Sequence, residues 1–271
     1  MDNDIDNEFS KDIDFSTNFL NDSLFKTKFK ILTIIKTEKN RASLIVSDND
    51  IGICFLKILN EKVFDINVYN MLLKNPHINI ITIYDIIKKD NLYYVVEEYI
   101  PGKNLAECTN KMLMSNINTI VDQLISGIKH LHNLDIIHGD MKLENVMYYD
   151  SRIKIVDFDF SKISNSEYIV VNSTYGTENY IAPESFDLGM YSKKTDLWSL
   201  GVLLYKMITN KFPYVDKPNK LKHFYIKNNF KHLDLCELDK YKNTCGIKII
   251  NAVKRLLQFN DSKRNLESPN T

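Results

Sequence analysis

His138-Gly139-Asp140-Met141-Lys142-Leu143-Glu144-Asn145 gathers an acid, a base and an amide into one short run. Asp140 is suited to take a proton from a hydroxyl, Lys142 to neutralise a phosphate, and Asn145 to offer an oxygen ligand to a hard cation. An apolar stretch delivers the chain to this run. Ile117, Ile120, Val121, Leu124, Ile128 and Leu131 recur at the spacing of a core-facing helix, which predicts a helix from Asn116 onward.

Other polar signatures are arranged around it. Downstream come Asp157-Phe158-Asp159, then Gly176-Thr177-Glu178-Asn179-Tyr180-Ile181-Ala182-Pro183-Glu184, then Asp196-Leu197-Trp198-Ser199-Leu200-Gly201, and finally Asp261-Ser262-Lys263-Arg264. Upstream, Lys57 ends the apolar run Cys54-Phe55-Leu56-Lys57, where burying an unpaired ammonium is costly. The other reading of Lys57 is a strand-end lysine on the solvent face. In order and spacing these stretches resemble the protein kinase motifs H-R-D-L-K-x-x-N, D-F-G, G-T-x-x-Y-x-A-P-E and D-x-W-S-x-G, and the resemblance covers about residues 29–266.

That resemblance implies roles. Asp140 would orient and deprotonate a substrate hydroxyl, and Lys142 would neutralise the γ-phosphate of ATP. Asn145 and Asp157 would hold Mg²⁺, while Lys57 would hold the α/β-phosphates. Val95-Val96-Glu97-Glu98-Tyr99-Ile100-Pro101-Gly102 resembles the hinge that receives adenine through backbone groups. This alignment places Glu97 at the gatekeeper position and Tyr99 in the hinge, with a register one residue different as the alternative. Asn104 falls at a ribose-contacting position and Met147 at the adenine floor. Thr177 together with Lys142 is the serine/threonine-kinase combination. Asp196 would brace the catalytic-loop backbone, and Arg264 would be the buried partner of Glu184.

Three departures from the family pattern stand out. No glycine precedes Gly52, so a glycine-rich phosphate loop is missing; Lys36, Lys39 or Arg41 would have to compensate by charge, and weak ATP affinity is expected. Val68 occupies the helix position where a glutamate should pair with Lys57, which leaves Glu97 or Asp65 to supply the counter-charge, Glu61 lying a further turn away. Gly139 replaces the arginine that pairs with a phosphorylated activation loop. Phosphorylation at Ser164, Ser166, Ser173 or Thr174 is therefore not expected to gate activity.

Composition bounds the rest. A formal net charge of +0 and dispersed basic residues argue against nucleic acid as a partner. The four cysteines form no C-x-x-C pair or zinc spacing, as suits reduced thiols in a cytoplasmic protein. The acidic N-terminus lacks the apolar segment of a secretory signal, and no run is long enough to span a bilayer. Residues 1–22 read as an acidic, disordered tail, although Phe9, Phe15 and Phe19 offer docking side chains.

From Phe29, β-branched runs at 29–35, 43–46 and 53–58 predict consecutive antiparallel strands. A helix over 61–74 is broken by Asn75-Pro76-His77, and strands over 80–87 and 92–97 follow. Short strands are expected at 146–148 and 153–155, with mostly helix after Glu184. The fold class expected is α+β: a two-lobed, protein-kinase-like fold with a five-stranded antiparallel small lobe (23–98) and a helical large lobe (99–271). The expected function is an ATP- and Mg²⁺-dependent serine/threonine kinase acting on protein substrates. A pseudokinase scaffold is the alternative, and a small-molecule kinase of related fold a third reading.

Overall fold

The computed structural model describes residues 23–62, 64–171, 176–214 and 233–266. The expected tail, with its three phenylalanines, and the candidate phosphorylation sites Ser173 and Thr174 lie outside these residues. The described chain divides into two compact units, residues 23–74 with 82–99, and residues 75–81 with 100–266.

The first unit is an antiparallel sheet with strand order β1-β2-β3-β5-β4, built from β1 (Phe29–Glu38), β2 (Arg41–Asp48), β3 (Gly52–Asn60), β4 (Ile83–Lys89) and β5 (Leu92–Glu98). The alternation of β2 sends Ala42, Leu44 and Val46 inward, as a half-buried strand requires. They meet Cys54, Leu56, Ile58, Tyr94 and Val96 of the neighbouring strands, and the short helix α1 (Ser23–Lys28) closes this core with Phe25. β3 is buried on its other face too, where Phe55, Lys57 and Leu59 alternate with the core set. Helix α2 (Ile66–Lys74) buries Val68, Tyr69 and Leu72, and Phe64 at its entrance packs edge-on against Tyr69 and against Tyr93 of β5.

Two boundaries differ from the sequence reading for local reasons. The helix begins at Ile66 rather than at 61, because Asn60 Oδ1 accepts from the Lys62 N–H at 3.1 Å and holds a turn there. Asp65 then caps the helix, accepting from the Asn67 N–H at 3.0 Å. Strand β4 starts at Ile83 rather than at 80, since Ile80 and Ile81 join the second unit, where the Ile81 N–H donates to the Ile155 carbonyl at 2.9 Å.

In the second unit α4 (Ile117–Asn133) buries the whole predicted stripe from Ile117 to Leu131. Ahead of it lie β6 (Lys103–Asn104) and α3 (Asn110–Ser115); after it come β7 (Ile136–Ile137), β8 (Val146–Tyr149) and β9 (Arg152–Ile155). β8 pairs with β6 on one side and β9 on the other. β10 (Lys162–Ile163) pairs with β7, and β11 (Ile169–Val170) pairs with β12 (Met190–Tyr191). Helices α5 (Pro183–Leu188) and α6 (Lys193–Thr209) follow, and the helix Ile247–Leu256 packs on α6. α6 starts at a capping box made by Ser192 and Thr195 and is buried nearly all round, including Trp198 at 0% exposure.

Candidate active site

The eight-residue run becomes a tight loop between β7 and β8. Asp196, in the first turn of α6, fixes its entry: Oδ2 accepts the His138 N–H and Oδ1 the Gly139 N–H, each at 2.9 Å. A helix N-terminus is a favourable place for that carboxylate. His132, in the last turn of α4, adds a ring nitrogen 2.9 Å from Asp196 Oδ2, a partner that the sequence reading did not name. The His138 ring lies 4.9 Å from that of Phe158 and sits within 3.2 Å of the Val156 carbonyl oxygen, joining the loop to the Asp157-Phe158-Asp159 stretch.

Gly139 has φ +80° and Gly176 φ +93°, backbone that side-chain-bearing residues rarely adopt. A Cβ on Gly176 would come 2.8 Å from the Gly139 carbonyl oxygen. The glycine therefore lets the two segments approach, and Thr177 is set against Asp140. The Thr177 N–H and its hydroxyl both donate to Asp140 Oδ1 at 2.8 Å. Lys142 Nζ donates to Asp140 Oδ2 at 2.6 Å and to Thr177 Oγ1 at 2.8 Å. Asn145 Nδ2 donates to the Asp140 carbonyl at 2.9 Å and to Oδ2 at 3.2 Å. Asp140 is thus 3% exposed and oriented by four donor groups.

With its amide nitrogen committed in this way, Asn145 presents its side-chain oxygen as an acceptor. The Val156 N–H donates to the Asn145 carbonyl at 3.0 Å, so the next residue, Asp157, is held close by along the chain. Asp157 has φ +66°, a left-handed conformation that is strained for aspartate and marks a constrained position. Two hard oxygen donors from Asn145 and Asp157 suit Mg²⁺ in chemical type. Met147 is half-buried and pairs with Asn104 across the β6–β8 ladder. Asn104 Oδ1 caps the following turn through the Glu107 N–H at 3.1 Å, an engagement the sequence did not signal.

The first unit holds Lys57, Glu97 and Tyr99. Lys57 lies inside β3, which runs on to Asn60, and is 6% exposed; it is not a strand-end lysine. It pairs with Val95, and Phe55 pairs with Glu97, so Lys57 and Glu97 are diagonal neighbours on one face of the sheet. Glu97 is 3% exposed, whereas Glu98 is half-buried on the opposite face and accepts from the Thr82 N–H at 2.7 Å. Tyr99 is exposed just past β5.

The helix side chain that meets Lys57 is Tyr69, whose hydroxyl lies 3.4 Å from Nζ. Val68, at the position expected to carry the glutamate, is fully buried. Asp65 serves as the helix cap, and Glu61 pairs with Lys88 at 3.2 Å. At the tip of the β1–β2 hairpin, Lys36 and Arg41 both pair with Glu38, and these bonds hold its carboxyl down at about 2. Two of the three cations expected to replace the glycines are therefore already engaged.

Glu184, in the first turn of α5, meets Arg264 as expected. Arg264 is 0% exposed and grips the carboxylate with both terminal nitrogens, at 2.5 and 2.9 Å. It stacks 5.0 Å over Trp198 and donates from Nε to the Gln258 carbonyl at 2.7 Å.

Comparison with known proteins agrees with this arrangement. The protein kinase domain family matches residues 57–266. The chain is 32% identical over 161 residues, 57% of its length, to a calcium and calcium/calmodulin-dependent serine/threonine-protein kinase of Pisum sativum, covering 30% of that protein. It is 33% identical over 143 residues, 51% of its length, to the serine/threonine-protein kinase PrkC of Bacillus subtilis, covering 22% of it. It is 36% identical over 157 residues, 56% of its length, to the hormonally up-regulated neu tumor-associated kinase of Homo sapiens, again covering 22%. The chain spans less than a third of the length of these relatives. The family match together with the catalytic-loop geometry places this chain in the eukaryotic-type protein kinase family.

Proposed function

We propose that the chain is a serine/threonine protein kinase that transfers the γ-phosphoryl of ATP to protein hydroxyls and is not gated by activation-loop phosphorylation. The observation that carries this reading is the Asp140 carboxylate, held jointly by Lys142 and Thr177. Asp140 orients the substrate hydroxyl and receives its proton. Lys142, already 2.6 Å from that carboxylate, balances charge on the γ-phosphate. Asn145 and Asp157 would hold Mg²⁺, which when bound would neutralise phosphate charge. Lys57 positions the nucleotide, with Glu97 as its counter-charge across the sheet. Tyr99, Asn104 and Met147 are the adenosine-contacting residues on this reading. The kinase domain is assigned to residues 23–271, with residues 23–74 and 82–99 as its small lobe and residues 75–81 and those from 100 onward as its large lobe. Its cysteines, none of them disulfide-bonded, suit a reducing cytoplasm.

A second reading, a nucleotide-poor scaffold of the same fold, draws support from the hairpin tip, where Lys36 and Arg41 are engaged by Glu38. Thermal-shift titration with Mg·ATP separates the two. Stabilisation that is present in wild type and lost in Asp157→Ala supports the enzyme, and none in either protein supports the scaffold.

A further inference from the structure

Thr177 orients Asp140 only if the segment carrying it is itself held. After β10 pairs with β7, the Ser164 N–H donates to the Asp135 carbonyl at 2.9 Å, and Lys193 meets the Asp135 carboxylate at 2.6 Å. β11 then pairs with β12, extended by the Val171 N–H to the Gly189 carbonyl at 3.0 Å. One contact on the way reaches much farther along the chain. The Tyr168 hydroxyl donates to Asp261 Oδ2 at 2.6 Å, across 93 residues of sequence.

Asp261 opens the turn that ends at Arg264, and the Arg264 N–H donates to the Asp261 carbonyl at 2.9 Å. Arg264 in turn grips Glu184. Tyr168 lies upstream of Thr177 and Glu184 downstream, so both flanks of the Thr177 segment are tied to the same four-residue turn. Hydrogen bonding to Asp261, then partial burial, pushes the Tyr168 hydroxyl up to about 12, so it remains a donor at any ordinary pH.

We infer that Tyr168 and Asp261 are positioning residues: their hydrogen bond, with Glu184–Arg264, holds the activation segment in its working form without a phosphate. This rests on the kinase reading above and supplies the physical means for its independence from loop phosphorylation. The contact is uncharged on the tyrosine side and built into the fold, so no upstream enzyme is needed to make it.

The test uses the phosphatase-treated full chain with Tyr168→Phe, Asp261→Ala and the double variant. Each single change is expected to lower kcat for a protein substrate about tenfold, the loss typical of one hydrogen bond to a charged group. KM for ATP should hold steady, and the double variant should be no worse than either single. Hydrogen exchange over residues 176–182 should rise in all three variants, and this readout stands even if the wild-type chain transfers no phosphate. Unchanged exchange and kcat in both singles, or defects that multiply in the double variant, would overturn the assignment.

Discussion

Thr177 holds Asp140 twice, through its backbone N–H and through its hydroxyl, both to Oδ1 at 2.8 Å. The hydroxyl also accepts from Lys142 at 2.8 Å, so one threonine sets both the Asp140 carboxylate and the lysine beside it. Thr177→Val keeps the shape and the backbone bond but removes the hydroxyl. We predict a fall in kcat of roughly thirtyfold, within the range that small misplacements cause. KM for ATP should change little, and Thr177→Ser should recover most of the rate. Steady-state kinetics with ATP and protein varied separately will check this.

Arg264→Leu should act on stability rather than on chemistry. It leaves Glu184, whose side chain is 15% exposed, without the guanidinium that pairs with it. Breaking a buried pair from one side costs about 3–5 kcal/mol. Equilibrium urea unfolding should register that loss as a lower midpoint, and a midpoint within error of wild type would show that Glu184 finds another partner cheaply.

The fold was largely legible because its signals were local. The stripe from Ile117 to Leu131 and the β-branched runs before Lys57 report the periods of a helix and of strands. The Glu184–Arg264 and Asp196 contacts were legible through family resemblance alone, since no local pattern links residues so far apart. What stayed hidden depended on competition between neighbours. Asn60 and Asp65 delay α2 by turn and cap bonds, and the Tyr69 hydroxyl meets Lys57 in a contact that no local pattern reports. Glu38 likewise captures Lys36 and Arg41, which charge counting along the sequence does not reveal.

Glu38→Gln releases those two cations at the hairpin tip. An exposed charge contact is worth a few tenths to one kcal/mol, so KM for ATP should fall by about two- to fivefold. A KM that stays put or rises would detach the tip from nucleotide binding. The same carboxyl makes a pH prediction. Its folded value of about 2 lies below the ordinary glutamate value of 4.5, so its contribution is present above the latter and is lost as pH falls through the former. Acid unfolding of Glu38→Gln should lack that component.

Lys57 and Glu97 share one buried face of the sheet, and Tyr69 approaches the same lysine from α2. If Glu97 is the counter-charge, Glu97→Gln should lower kcat/KM for ATP by roughly a hundredfold, as when one member of a buried pair is neutralised. Tyr69→Phe should cost less, about threefold, since a neutral hydroxyl contributes a weaker bond. Asp65→Asn should leave kcat/KM unchanged because that side chain caps the helix. Equal losses at Glu97 and Asp65 would reverse the assignment.

Transfer of radiolabelled phosphate from ATP to a generic basic protein, wild type against Asp140→Asn at matched folding, tests the kinase reading most directly. Asparagine preserves the shape and removes the base, so measurable wild-type transfer that drops by about a thousandfold or more is expected, with label on serine or threonine. Equal transfer by the two proteins, or none from a wild-type chain that binds Mg·ATP, would contradict it.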